Sequence, residues 1–228
     1  MARATTMQRF ARWHIWLGWL AGFPILMWTV TGLFMAARPI GEVRGDHLLA
    51  RPDTVATDAL VIPPRLGKVK EMTLAAQADG PVWIVTQTDG ARYRYSARDG
   101  TVLGPVTKDE ARAIADQAYI GTATLEGVTY FPGDVAPSDL RQPIDSWQAR
   151  FSDGTHLYIA DVTGEVVAVR TGFWRAYDFM WGLHIMDLKT RENAHHAILL
   201  IFAGISVAGA LLGCILMFRR RKARVKAS

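Results

Sequence analysis

WIVTQTDGARYRYSARDGTV at residues 83–102 and WQARFSDGTHLYIADVTGEV at residues 147–166 carry the same punctuation at the same spacing. Trp83, Asp89, Gly90, Gly100 and Val102 recur as Trp147, Asp153, Gly154, Gly164 and Val166, each 64 residues further on. Each stretch reads as a strand, a tight Asp-Gly turn, a second strand, and another glycine turn into a third. A fixed internal period marks two related structural units. Between them KDEARAIADQAY, from Lys108 to Tyr119, reads as a helix opened by a capping box of Thr107 and Glu110. Upstream, Pro39, Gly41, Gly45, Pro52, Pro63, Pro64 and Gly67 break the chain into linker and short strands.

Further out, the composition changes sharply. Two runs contain no Asp, Glu, Lys or Arg: 25 residues between Arg12 and Arg38, and 26 between Glu192 and Arg219. A bilayer core needs about 20 apolar residues in a helix, so both runs are long enough to span. The first is too long for the h-region of a cleaved signal peptide and reads as a retained signal anchor. Beyond the two runs lie nine basic residues and no acidic ones: Arg3, Arg9, Arg12, Arg219, Arg220, Arg221, Lys222, Arg224 and Lys226. All 21 acidic residues fall between Arg38 and Glu192, beside 17 basic ones. The overall net charge of +5 therefore hides a mildly acidic middle, which argues against a nucleic-acid-binding face. Basic flanks prefer the cytoplasm, so both termini are expected there, with the middle of the chain in the periplasm. The lone Cys214 lies within the second run and reads as a small apolar filler.

The stretch DSWQARFSDGTHLYIADVTGEVVAVR resembles a PepSY domain, in which strands pack against a helix. The first span is similar to the opening helix of PepSY-associated transmembrane proteins. It carries His14, Trp16, Leu17 and Gly18, then Thr31-Gly32; Trp13 stands where that pattern has Leu, and Ile15 where it has Arg. Trp181, Gly182, Leu183 and His184, followed by an apolar helix ending in arginines, match the closing part. The expected fold is α+β, with two transmembrane helices flanking a periplasmic domain of two PepSY-like α/β units. Its segments are a basic tip (1–12), helix 1 (13–37), linker and first unit (38–106), and second unit (107–172). An interfacial segment (173–192), helix 2 (193–218) and a basic tail (219–228) complete it.

Larger members of this family, related to ferric-siderophore reductases, have four or more spans and bind b-type haem through membrane histidines. The resemblance therefore implies haem b, iron ligation by His14, His184, His195 and His196, and electron transfer to ferric iron or a ferric siderophore. With only two spans here, it also implies a homodimer or a membrane partner subunit, surrounded by lipid. On the residues alone, imidazoles at a membrane edge serve more often as interfacial side chains among tryptophans than as ligands. His14 and His195 start opposite ends of the two spans, roughly 30 Å apart, so one iron cannot bind both. An outer site pairs His184 with His195 or His196 across DLKTREN, where Asn193 is a candidate helix cap and Lys189 and Arg191 are candidate propionate partners. An inner site pairs His14 with a second His14 or with Met217. Gly209 and Gly213 form a G-x-x-x-G face suited to close helix packing. His156 reads as a surface residue. The alternative function is a membrane-anchored PepSY binding module that contacts a periplasmic or membrane partner.

Overall fold

The computed structural model describes residues 6–51, 55, 59–64 and 66–225, with side chains up to residue 218. The charged tips at Arg3 and Lys226, and Pro52 in the linker, lie outside the described residues. The chain is α+β and divides into two compact units, Pro39–Arg175 and the combined segments Met1–Arg38 and Ala176–Ser228.

The first of these holds two antiparallel four-stranded meanders. One runs β1 (Val69–Gln77), β2 (Gly80–Gln87), β3 (Arg92–Ser96) and β4 (Val102–Leu103) in sequence order. The other runs β5 (Leu125–Phe131), β6 (Ser146–Phe151), β7 (His156–Ala160) and β8 (Val166–Arg170). The repeat is visible in their register. Trp83 lies opposite Tyr95, and Tyr95 opposite Val102; Trp147 lies opposite Ile159, and Ile159 opposite Val166. The turns match too. Gly90 and Gly154 take positive φ of 89° and 80°, which glycine adopts without a Cβ clash. Asp89 and Asp153 each accept the backbone N–H two residues on, from Ala91 and Thr155.

Both tryptophans sit on the second strand of their sheet and share a bonding scheme. The Trp83 indole donates to the Val61 carbonyl at 2.9 Å, while Val61 N–H donates to Ala97. The Trp147 indole donates to the Val106 carbonyl, also at 2.9 Å, while Val106 N–H donates to Asp161. Ala97 and Asp161 are again 64 residues apart. Each sheet is thus strapped by one upstream valine bonded in both directions.

Beyond the strap the two units diverge. After Val106 comes α3 (Lys108–Ala118), capped as its sequence predicts by Thr107 and Glu110. Its Ala111, Ile114 and Ala115 are buried in one core with Val128, Ala149, Phe151, Leu157 and Ile159. After Val61 only residues 62–68 precede β1, and they include Pro63 and Pro64. That leaves no room for a helix of equivalent length. The expectation of two α/β units is therefore corrected: the second sheet carries a helix and the first does not.

The hairpins differ as well. Ala78 and Asp79 alone join β1 to β2, whereas residues 132–145 join β5 to β6. That longer connection buries Leu140 against Tyr158 and Ala168. Asp139 in it accepts from the Tyr158 hydroxyl at 2.5 Å and faces Arg175 and His156, each at 3.4 Å. His156 is only 22 % exposed, so it joins this cluster instead of lying on the surface. Burial pushes the Asp139 carboxyl up, but the facing His156 ring, the hydrogen bond from the Tyr158 hydroxyl and the Arg175 guanidinium outweigh it and hold it down at about 2. The stabilisation from this depressed carboxylate is complete above the ordinary aspartate range and fades as pH falls from about 4 towards 2.

The other unit contains α1 (Thr6–Ala36), the second half of α4 (Gly172–His184), and α5 (Ala197–Val225); the short α2 (Ile40–Arg44) belongs to the β-sheet unit. Both α1 and α5 are long and apolar enough to cross a membrane. Large apolar side chains such as Trp16, Trp19 and Phe23 point outwards at 72–80 % exposure, an arrangement that suits lipid better than water. Pro24 sits inside α1 and donates nothing to the carbonyl one turn back. The Thr29 and Thr31 hydroxyls do not fill that gap, because they bond Ile25 and Met27.

Asp139→Asn is expected to lower unfolding stability at pH 7 by about 2 kcal/mol, with the deficit vanishing as both proteins approach pH 2. Urea unfolding of both proteins, followed by tryptophan fluorescence across that range, measures it.

Candidate functional site

Four histidines were expected to carry chemistry: His14, His184, His195 and His196. The structure gives them three different roles.

His14 projects from α1 towards α5. Its Nδ1 lies 3.0 Å from the Gly209 carbonyl oxygen. A carbonyl only accepts, so Nδ1 carries a hydrogen, and a ring with one hydrogen would have its lone pair on Nε2. Gly213 makes space for the ring, since a Cβ there would stand 2.9 Å from His14 Cε1. A Cβ on Gly209 would meet Leu17 at 3.7 Å. The G-x-x-x-G face is therefore used within the chain, as the seat for α1.

His184 ends α4 and meets the other end of α1. Its Nδ1 lies 2.9 Å from the Thr31 hydroxyl. Thr31 is buried and donates its one hydrogen to the Met27 carbonyl at 2.7 Å. Its oxygen must then accept from His184 Nδ1–H, again leaving Nε2 with the lone pair. A Cβ on Gly32 would stand 3.6 Å from His184 Cε1, an ordinary contact. The Thr31-Gly32 pair and the Trp181–His184 stretch, far apart in sequence, thus form one contact. Seventeen helical residues separate His14 from Thr31, so the two imidazoles lie about 26 Å apart along α1.

His196 serves the fold. Its Nε2–H donates to the Ile185 carbonyl at 2.8 Å, and its Nδ1 accepts the Leu199 N–H at 3.4 Å. With both nitrogens engaged, His196 caps α5, the role expected of Asn193. Asn193 accepts the His195 N–H instead. The His195 side chain is exposed.

The turn from α4 to α5 is organised by Asp187, a residue that the sequence does not single out as a candidate. Its carboxylate accepts backbone N–H groups from Lys189, Thr190, Glu192 and Asn193 and the Thr190 hydroxyl. Those bonds hold it far below the usual carboxylate range, the Thr190 hydroxyl contributing most. Asp-x-x-Thr spacing is the signal that would have found it. Arg191 pairs with Asp178 and its carbonyl accepts the Trp181 indole, so it is committed within the turn. Met217, the other candidate near His14, is 61 % exposed on α5.

Among the described residues no cluster of three or more His, Cys, Asp or Glu side chains is arranged to hold a metal ion. Axial ligation of a haem asks for something else, a neutral imidazole oriented through one nitrogen with the other free. His14 and His184 have that form. Comparison with known proteins finds no matching family model, no similar curated protein and no similar solved structure.

If Gly213 serves to seat the His14 ring, Gly213→Val is expected to lower the melting temperature of the detergent-solubilised protein. The double variant Gly213→Val/His14→Ala should then lose less than the sum of the single losses. Additive losses would separate the two residues.

Proposed function

We propose that this chain is a membrane electron-transfer protein that holds b-type haem through His184 and His14. The reading has it in a bacterial inner membrane, both termini cytoplasmic and residues 38–192 periplasmic. One observation supports it: both histidines are on or beside apolar helices, each hydrogen-bonded through Nδ1, with no bond to Nε2 among the described residues. A structural histidine in an apolar setting normally spends both nitrogens, as His196 does.

Haem supplies a one-electron couple when bound. The chain's own residues do the rest. Thr31 selects the His184 tautomer and raises the basicity of Nε2 by accepting from Nδ1; the Gly209 carbonyl does the same for His14. Exposed His195 would be the second residue to hold the group at the His184 end, and a second copy of the chain would supply one at the His14 end. The terminal acceptor would be ferric iron, free or held by a siderophore, which would become ferrous on the periplasmic side by taking the one electron that a reduced haem gives up as it is reoxidised. A second reading, a membrane-anchored binding module with PepSY-like sheets, is favoured by the outer edge of β1, which pairs with no strand among the described residues.

Protein purified in detergent, oxidised and then dithionite-reduced, is expected to show a reduced α-band. His184→Ala should abolish or shift it, Thr31→Val should move its midpoint potential, and His156→Ala should leave both unchanged. A colourless protein expressed with ample haem would overturn the reading.

A further inference from the structure

We infer that His156 is a pH-sensitive latch: its neutral ring holds the first turn of α4 to the second sheet, and its charged ring releases it. The latch stands apart from both readings above and works with or without haem. Hydrogen-bond chemistry fixes the state of the ring. Arg175 Nη2 lies 2.8 Å from His156 Nδ1, and a guanidinium only donates. Gln148 Nε2 lies 3.3 Å from the same nitrogen. The orientation of that amide is set by its other partner. Tyr158 gives its one hydroxyl hydrogen to Asp139, so its oxygen accepts from Gln148 at 2.6 Å and the nitrogen end of the amide must face it. Nδ1 thus meets two donors and holds no hydrogen of its own, which makes the ring the neutral Nε2–H form.

What the neutral ring holds is the start of α4. Arg175 lies in the first turn of that helix, where Thr171 accepts the Trp174 N–H through its hydroxyl and the Arg175 N–H through its carbonyl. The Arg175 guanidinium also reaches the Gly154 carbonyl at 2.9 Å and Asp139 Oδ2 at 3.4 Å. It therefore ties the helix start to β7 at His156, to the turn before β7 at Gly154, and to the β5–β6 connection at Asp139.

A proton on Nδ1 reverses this. The nitrogen then needs an acceptor and faces two donors instead. The carboxylate within reach is Asp139, whose Oδ2 lies 3.4 Å away. By turning to it the imidazolium competes with Arg175 Nη2 for the same oxygen and sets a second positive charge against the guanidinium. The other charged neighbours are already committed. Arg150 and Arg170 stand opposite His156 in the ladder. Arg150 pairs with Glu126 at 3.1 Å, while Arg170 bonds the Asp139 and Leu140 carbonyls and lies over Trp174. Tyr158 is occupied with Asp139, and Asp153, in the turn, with the Thr155 N–H and the Tyr119 hydroxyl. Arg150, Arg170 and Arg175 already outnumber Asp139 and Glu126, so a charged ring adds to a positive excess. Of these cations Arg175 is carried by a helix end and the others by paired strands, so Arg175 is the one that moves.

The test is hydrogen–deuterium exchange on the full-length protein in detergent, at both ends of the range in which imidazoles change charge, about pH 5 and about pH 8. Rates are compared as protection factors, which removes the pH dependence of exchange itself. Protection of residues 172–177 is expected to fall about tenfold at the acid end, the weight of one charge-assisted hydrogen bond, while protection of α3 stays constant. His156→Asn keeps an acceptor oxygen near the place of Nδ1 and cannot take the charge, so it should hold the segment closed at both pH values. Arg175→Ala should leave it open at both. Asp139→Asn removes the acceptor of the charged ring and should move the change to lower pH. Equal protection of residues 172–177 at both ends, a loss that survives in His156→Asn, or a parallel loss in α3 would overturn the proposal.

Discussion

A half-buried imidazole beside apolar helices must place its N–H on an acceptor, and helices offer few. The helical unit is built around two answers to that constraint. At one end a threonine hydroxyl, already tied to its own helix through Met27, accepts from His184. At the other, the Gly209 carbonyl accepts from His14 where absent side chains let the ring in. These bonds join segments separated by more than 150 residues, and they lock α1 to the end of α4 and the middle of α5. Losing either acceptor would leave an unsatisfied donor, at a cost of about 1–3 kcal/mol.

The turn between α4 and α5 has the opposite chemistry. A single carboxylate gathers four backbone N–H groups, and Arg191 closes the arrangement onto Asp178. Such a turn keeps His184, Ile185 and His196 in fixed order, so His196 can reach the Ile185 carbonyl and start α5.

Much of this was legible in the sequence, for identifiable reasons. The 64-residue period survived into strand register because Asp-Gly turns and the paired tryptophans constrain the chain locally. The α3 capping box was equally local. The missing helix before β1 was less visible, because glycine and proline content says that a stretch is irregular without saying what it replaces. The histidines divided along the same line. Spacing said which of them lay near the membrane spans, but an imidazole's role depends on which atoms approach each nitrogen. For His14 and His184 those atoms come from remote segments. His196 could have been suspected, since it directly precedes the second apolar helix.

The two meanders also set a timetable. Every strand in them pairs with its immediate predecessor or successor, so neither sheet waits for distant sequence. The first sheet has all four strands once Leu103 has been made. Helix α3 is completed at Ala118, but the core that covers its apolar face includes Leu157 and Ile159 of β7. At ordinary synthesis rates of ~5–20 residues per second that face stays uncovered for about 2–8 s. Within the sheet unit α3 is therefore a segment whose apolar face waits on later synthesis for its cover.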